Sequence, residues 1–341
     1  MLGGGLNGYI ITTLYNQNFG SGISAVIFSV SFMYLLLEKK LWVKISLIFF
    51  TCLSFAMLLS MMSLGGFLTI LATVPIIIMI GIKFRGIKET SIFTGVVLFI
   101  NFFIYKILNT RNERIHQDSF AIFDKLKEFS IIIVPVGFVL FFIILIALIF
   151  SNKKKVIDIF TLIISITIVI GFISFSTLIK NNKEDFIFSP IYQKLNVMSS
   201  GRIEIWSRTV NVTNDSLLLG SGMDTFPYEI VEEDEKKGIL NGSIFMDKPH
   251  NWFLTILQGS GIFALIIIIY LILYTFRVMF IKISEKIDSK YVYVFGIGSI
   301  AYVAQGATND SFIGTSIFFW ILTSITLNRV LNFKEDDTLD K

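Results

Sequence analysis

The run WFLTILQGSGIFALIIIIYLILYTF, residues 252–276, decides the fold class. Its 25 consecutive residues include no charged side chain, and a transmembrane α-helix needs only about 20 predominantly apolar residues. The whole 341-residue chain has the same character, since 54% of its residues are hydrophobic, 16% are charged and the mean hydropathy is +0.75. Soluble domains carry fewer apolar and more charged residues than this. The sequence therefore predicts an integral membrane protein.

Eight further apolar runs have a suitable length, which gives nine predicted spans. They lie near 20–37, 42–60, 65–82, 91–108, 131–150, 157–179, 252–276, 291–307 and 313–330. We expect an all-α polytopic membrane protein with about nine transmembrane helices and one large extracytoplasmic loop. Residues 1–180 would carry transmembrane helices 1–6, residues 181–251 the loop, and residues 252–341 helices 7–9 and a cytoplasmic tail.

The distribution of Lys and Arg predicts the orientation, because cytoplasmic connections carry an excess of both. The segments that follow spans 1, 3, 5 and 7, together with the tail, hold sixteen of these residues, whereas the short segments 1–19, 61–64 and 308–312 hold none. We therefore expect the N-terminus outside and the C-terminus in the cytoplasm. The two long segments, 109–130 and 181–251, would then face outside.

Several site classes find little support in the composition. The single cysteine, Cys52, allows neither an intrachain disulfide nor a cysteine metal site. A net charge of +4 is too small and too scattered to indicate a nucleic-acid partner. The acidic run VEEDEKK, residues 231–237, has consecutive carboxylates that cannot all face one ion, and we interpret it as a solvated charge run. We expect neither a metal nor a cofactor.

The large outer loop contains SSGRIEIWSRTVNVTNDSLLLGSGMDTFPYEI, residues 199–230. Ser200 or Gly201 can cap a helix that begins at Arg202, and Trp206 lies four residues further on the same surface. A tight turn at Gly220-Ser221-Gly222 would end the unit. The segment fits an arginine site for phosphate groups and equally an interfacial helix with an aromatic anchor.

A histidine precedes the apolar run that begins at residue 252. Pro249 suits the first position of a helix, so we expect His250 in the first turn of span seven. The positive end of a helix disfavours imidazolium, and a neutral imidazole could accept a proton. The other interpretation is an interfacial histidine that completes the helix cap. The second histidine, His116, has no comparable setting and is interpreted as a solvated loop residue.

Arginine and histidine at the outer membrane surface together suggest a lipid-linked diphosphate as the substrate, with its tail in the bilayer. The residues concerned resemble those of the O-antigen ligase and O-antigen polymerase family of membrane glycosyltransferases. The resemblance rests on Gly201-Arg202, Trp206, Gly220-Ser221-Gly222 and HNWFLTILQGSGIFALI from His250. It extends to LNGYIITTLYNQNFGSG near the start, with Asn16 or Asn18 at the family's asparagine.

The resemblance implies a metal-independent transfer of a glycan from undecaprenyl diphosphate to an acceptor hydroxyl. His250 would be the catalytic base, and Arg202 would hold the diphosphate leaving group with help from Arg208. The other substrate-binding residues would be Trp206, Asn251, Gly220 and Gly222. Asn251 would orient the site, and Gly259 and Gly261 would allow close helix packing.

The chain departs from the family's pattern in three respects. Ser63-Leu64-Gly65 stands where members usually carry a Ser-Arg pair, and Ala264 stands where they usually carry Gly, Thr or Tyr. Members typically have about twelve spans with both ends in the cytoplasm, so nine spans with an outside start imply that three are absent at the N-terminus.

The function expected from this resemblance is a bacterial plasma-membrane polymerase. It would join undecaprenyl-diphosphate-linked oligosaccharide repeats into a surface polysaccharide such as capsule, exopolysaccharide or O-antigen, with other polysaccharide-assembly proteins as possible partners. A ligase that transfers a finished glycan to an acceptor is the close alternative. A transporter or flippase would show internal repeats and ionisable residues at mid-membrane, and the sequence shows neither. A non-catalytic membrane protein is the remaining alternative.

Overall fold

The computed structural model describes residues 17–61, 63–111, 201–236, 246–284, 290–310 and 313–339. In these ranges every regular element is a helix, as the all-α prediction requires. Some predicted features lie outside the described residues, namely spans 131–150 and 157–179, the segment 112–200 that contains His116, and Asn16. The number of nine spans therefore stays a prediction.

Eight α-helices occur in the described ranges. They are α1 (Gln17–Leu37), α2 (Leu41–Met61), α3 (Leu64–Arg111), α4 (Arg202–Thr213), α5 (Phe226–Lys236), α6 (Trp252–Ser284), α7 (Lys290–Gly306) and α8 (Ile313–Leu339). By length and composition, α1, α2, α3 and α6 can cross a membrane, and α8 contains a shorter apolar stretch, Thr315–Asn328. These helices coincide with predicted spans one to four, seven and nine.

Helix α3 contains two predicted spans, three and four. At 48 residues it would extend roughly 72 Å if straight, more than twice the ~30 Å hydrocarbon thickness. It is broken at Gly86, whose φ of 81° and ψ of 165° are not helical. A Cβ at this glycine would meet no atom within 4 Å, so its left-handed φ, rather than space, favours glycine here.

The described residues fall into two compact units. The first comprises those within Met1–Phe160, Tyr274–Gln305 and Phe312–Lys341, and the second those within Thr161–Leu273 and Gly306–Ser311. The apolar core of the first unit includes Phe32, Ile77 and Ile297, from α1, α3 and α7. Small polar side chains also lie between its helices, for example Ser29 and Thr73, whose hydroxyls are 2.9 Å apart. Such residues allow transmembrane helices to approach closely.

Charged residues of predicted cytoplasmic connections meet within the first unit. Lys44 Nζ lies 2.5 Å from Glu89 Oε1, and Lys290 Nζ lies 2.6 Å from Glu38 Oε2. Burial alone would raise the pKa of Glu38, but Lys290 and the backbone N–H groups of Lys39 and Lys40 together lower it to about 2. The predicted orientation requires these residues on one side of the membrane, and which side they face stays a prediction.

The stretch around Asn18, which resembles the family, and Ser63-Leu64-Gly65, which departs from it, meet in the first unit. The hydroxyl of Ser63, just before α3, donates a 2.7 Å hydrogen bond to Oδ1 of Asn18 in α1. Serine and asparagine therefore hold these helix ends together where the family usually carries a Ser-Arg pair.

The second unit has a small apolar core of its own. Phe226 and Ile230 of α5 pack with Met246, and Ile205 and Val212 of α4 lie against them. A short 3₁₀ turn, Asn214–Ser216, follows α4. This core fixes α4 against α5 and so determines which side chains of α4 are left to bind a ligand.

Candidate functional site

Helix α4 begins at Arg202, as the sequence predicts. Gly201 is its N-cap residue, with φ 82°, and no side chain caps the helix. The left-handed conformation explains why glycine occupies this position. Arg202 follows as the first residue of the helix. Trp206 follows one turn later on the same helix.

The guanidinium of Arg202 is held by the connection between α7 and α8. Its Nη2 donates a 3.3 Å hydrogen bond to Oδ1 of Asn309. Burial lowers the pKa of Arg202, and the negative charge of Asp310 opposes this shift. Because arginine starts from a pKa far above neutrality, the group stays charged. The site therefore contains a partly buried, permanent positive charge.

The start of α6 differs from the prediction. His250 does not lie in the first turn of the helix, because α6 begins at Trp252 and His250 has a left-handed φ of 52°. The physical reason is a better cap: Oδ1 of Asn251 accepts hydrogen bonds from the N–H groups of Phe253 (3.0 Å) and Leu254 (3.2 Å). Asparagine is a favoured N-cap residue. His250 thus precedes the helix.

His250 faces a buried carboxylate. Its Nδ1 lies 3.0 Å from Oδ2 of Asp310, whose side chain is 2% exposed, whereas the imidazole is 32% exposed. The hydroxyl of Thr255 donates to the other oxygen of Asp310, at 3.0 Å. A carboxylate accepts hydrogen bonds, so in the neutral imidazole this geometry favours a proton on Nδ1 and an unprotonated Nε2. Nε2 lies 3.8 Å from Oδ1 of the exposed Asp247.

The segment that carries Asp310 is fixed to the start of α6. Nδ2 of Asn251 donates a 2.9 Å hydrogen bond to the carbonyl oxygen of Ala307. The same asparagine therefore caps the helix and holds the following connection in place. As a result, Asp310 lies beside both His250 and the charge of Arg202. A base and a cation around one carboxylate can support proton removal from an acceptor next to an anionic leaving group.

Two buried hydrogen-bond donors of the second unit lack a partner among the described residues. They are the indole Nε1 of Trp206 and the amide Nδ2 of Asn309. Buried polar groups are normally paired, and an unpaired one calls for an explanation. Asn309 already accepts from Arg202 through its other side-chain atom, so its amide hydrogens remain available to an anionic ligand.

The sequence grouped Arg208 with Arg202, but the structure gives the two different surroundings. Nε of Arg208 lies 3.2 Å from Oε2 of Glu233, and its Nη2 lies 2.5 Å from Oδ1 of the buried Asp234. These ion pairs tie α4 to α5. Glu233 and Asp234 belong to the acidic run interpreted as solvated, and that interpretation is wrong for Asp234, which is buried because it neutralises Arg208.

Gly220 and Gly222 lie against α6 rather than beside His250. The N–H groups of Ser221 and Gly222 donate to the carbonyl oxygens of Gln258 (2.8 Å) and Gly259 (3.1 Å). A Cβ at Gly220 would lie 2.5 Å from the carbonyl carbon of Gly259. The turn predicted at these glycines is present, and its geometry explains the glycines by close backbone approach.

Sequence reasoning missed Asn309, Asp310 and Thr255. A usable signal existed, since Asp310 is an acidic residue in 308–312, a short connection predicted on the same side of the membrane as His250. The segment served only to assign the orientation. No local pattern indicates that its carboxylate meets a histidine of another connection.

Comparison with known proteins adds one finding. Residues 119–269 match the family model described as O-antigen ligase. The match supports assignment to the O-antigen ligase family. The matched O-antigen ligase segment contains Arg202 and His250, whereas Asn309 and Asp310 lie beyond it. No curated protein and no solved structure matches the chain.

An O-antigen ligase domain indicates a ligase- or polymerase-type function at a membrane, with a lipid-linked glycan donor and an acceptor. Together with the four apolar helices, it agrees with the membrane glycosyltransferase expected from the sequence.

Proposed function

We propose that the protein is a polysaccharide polymerase of the bacterial plasma membrane, which joins undecaprenyl-diphosphate-linked oligosaccharide repeats. The observation that carries the proposal is the arrangement around Asp310, where a histidine and a charged arginine lie beside one buried carboxylate. The match of residues 119–269 to the O-antigen ligase family supplies the reaction type.

In the proposed reaction, Nε2 of His250 accepts the proton of an acceptor sugar hydroxyl. The hydroxyl oxygen attacks the anomeric carbon of the donor from the face opposite the diphosphate, so the configuration inverts. Asp310 holds the imidazole in the tautomer that can accept the proton and stabilises the imidazolium that forms. Thr255 orients Asp310 through its hydrogen bond.

The bond from the anomeric carbon to the diphosphate oxygen breaks, and its electron pair leaves with undecaprenyl diphosphate. The developing negative charge is stabilised by the guanidinium of Arg202, which is already held in place by Asn309. Trp206 and Asn309 offer their unpaired N–H groups to the same phosphates. A fixed organic cation of this kind can replace a metal ion, and we propose a metal-independent mechanism.

Arg208, Gly220 and Gly222 have supporting roles in this proposal. The charge of Arg208 is neutralised by Glu233 and Asp234. The turn that contains the two glycines is hydrogen-bonded to α6. Asn251 orients the site through Ala307, as its contacts with both segments suggest.

A ligase is the second candidate, since the matched family is described as O-antigen ligase. The chemistry at His250 and Arg202 would be the same, and only the acceptor would differ. A composition rich in Ile, Phe, Lys and Asn is typical of low-GC, Gram-positive genomes, and such a source favours a polymerase over a lipopolysaccharide ligase.

Two measurements test the proposal. In the producing cell, His250→Ala should shorten the surface polymer, whereas His116→Ala, which changes the only other histidine, should not. Purified protein given only lipid-linked repeat units should yield a ladder of lengthening products. Product formation only after a separate acceptor is added would identify a ligase, and unchanged polymer length in the His250→Ala strain would contradict both candidates.

A further inference from the structure

Three consecutive leucines, Leu217–Leu219, form an exposed loop in the second unit. Leu218 is 61% and Leu219 80% exposed. The surrounding stretch, SLLLGSGM at 216–223, contains no charged residue, and Met223 is also exposed. We name residues 217–219 the leucine loop. Large apolar side chains exposed side by side normally mark a contact surface.

The leucine loop is fastened to a break in helix α6. Gly261 interrupts that helix with φ 80° and ψ −179°, which frees backbone groups on both sides of it. The N–H of Ile262 donates to the carbonyl oxygen of Leu217, at 2.9 Å, while the carbonyl oxygens of Gln258 and Gly259 accept from Ser221 and Gly222. The loop therefore satisfies the groups that the break exposes.

The loop also satisfies polar groups of its own. The N–H of Gly220 donates a 2.7 Å hydrogen bond to the carbonyl oxygen of Ser216, and the hydroxyls of Ser216 and Ser221 lie 2.5 Å apart. Backbone that enters hydrocarbon must have its polar groups paired internally. The bonds described above pair the N–H groups of Gly220, Ser221 and Gly222 and the carbonyl oxygens of Ser216 and Leu217.

The two parts of α6 have different surroundings. Before the break, Gln258 is buried and donates to Thr225 (2.9 Å) and Glu229 (3.0 Å), which is a polar protein environment. After the break, Phe263 and Ile267 are exposed on an uninterrupted apolar run. The 15 residues from Ile262 to Phe276 include no charged side chain and extend roughly 22 Å as a helix. The surroundings of α6 therefore change from polar to apolar at the break.

From this position we propose that the leucine loop inserts its side chains into the hydrocarbon of the bilayer, beside the entry point of α6. The exposed leucines continue the lipid-facing surface of that helix, and the hydrocarbon of the adjacent leaflet is the occupant that covers them. The segment from Trp252 to Ser260 between His250 and the break extends about 13 Å. His250 thus precedes the break by little more than that length, and in the proposed function this position suits a lipid-linked diphosphate.

Fluorescence quenching in lipid vesicles tests the insertion. The full chain, with Cys52 replaced by Ala, would carry one bimane-labelled cysteine at Leu219→Cys or Leu218→Cys. The reference is Glu232→Cys on α5, where the native side chain is 65% exposed and pairs with Lys236. A phosphatidylcholine with a nitroxide near its headgroup quenches labels in the membrane, and iodide quenches labels in water.

We expect the lipid nitroxide to quench both loop labels several-fold more strongly than iodide does, and the Glu232→Cys label to show the reverse order. Iodide quenching of the loop labels as strong as at the reference would place the loop in water and overturn the proposal. Protection from both quenchers would assign the leucines to a protein contact, which would also overturn it. The result is independent of glycosyl transfer, so failure here leaves the proposed function standing.

Discussion

His250 and Asp310 form a histidine–carboxylate pair, with Nδ1 of the imidazole 3.0 Å from Oδ2 of the carboxylate. Thr255 binds the second carboxylate oxygen, and Asn309, the residue before Asp310, binds Arg202. One short connection between α7 and α8 therefore orients the proposed base and the proposed cation together. This coupling makes the effects of substitutions at the two positions interdependent.

The histidine and the carboxylate should act as one unit in a double-mutant cycle. His250→Ala removes the general base and should lower the rate of glycan transfer by about 10²–10⁴-fold. Asp310→Asn should lower the rate less, because the imidazole remains but loses its orientation. The double variant should be no slower than His250→Ala. The rates are measured as initial rates with purified protein. If the rate losses of the two single variants multiply in the double variant, Asp310 does not act through His250.

The two arginines should separate activity from stability. Arg202→Ala should slow transfer by about 10²–10³-fold, as the loss of a fixed charge at a leaving group does, with little change in melting temperature. Arg208→Ala leaves Asp234 buried without a partner and should destabilise the fold by about 3–5 kcal/mol. Initial rates and thermal unfolding in detergent measure the two effects. Equal rate losses at matched stability would place both arginines in the reaction.

Two glycines with left-handed backbones provide a matched pair for packing. At Gly201, with φ 82°, a Cβ would meet no atom within 4 Å, so Gly201→Ala should cost only about 1–2 kcal/mol of backbone strain. At Gly220, with φ 73°, a Cβ would also collide with the backbone of Gly259 to Gly261. Gly220→Ala should therefore lower the melting temperature clearly more than Gly201→Ala. Equal effects would argue against the close contact between the outer loop and α6.

The ion pair of Glu38 predicts a pH dependence of stability. Its folded-state pKa of about 2 lies below the ordinary value of 4.5, so its stabilisation is complete above pH 4.5 and disappears as the pH falls towards 2. The melting temperature of the native protein should exceed that of Glu38→Gln at neutral pH, and the gap should close within this window. The control Glu232→Gln breaks the exposed pair with Lys236 and should change little. A difference in melting temperature that persists near pH 2 would contradict the lowered pKa of Glu38.

The hydrophobic pattern was sufficient to predict the spans that the structure describes. Apolar runs report directly on burial in lipid, so α1, α2, α6 and both halves of α3 lie where expected. Glycine also marked the turns correctly, since the φ values of Gly201, Gly220 and Gly222 are positive. These features depend on local preference and on the membrane as solvent.

The details of the site depend on contacts between distant segments, which local patterns do not indicate. Arg202 and Arg208 look alike in sequence, and only the fold pairs Arg208 with Asp234 on another helix. Proline at position 249 suggested a helix start, whereas Asn251 caps the helix two residues after Pro249, and the same asparagine bonds to the distant Ala307. Asp310 is recognised as a site residue only from the fold, which brings the connection between α7 and α8 next to His250.

The most direct test of the central claim is the release of undecaprenyl diphosphate by the purified full chain in lipid vesicles. The vesicles would contain an undecaprenyl-diphosphate-linked oligosaccharide, and a chelator of divalent metals would be present throughout. The account predicts release that depends on an acceptor hydroxyl, that persists with the chelator, and that falls by about 10² or more in both His250→Ala and Arg202→Ala. Release at the native rate by either folded variant would contradict the account.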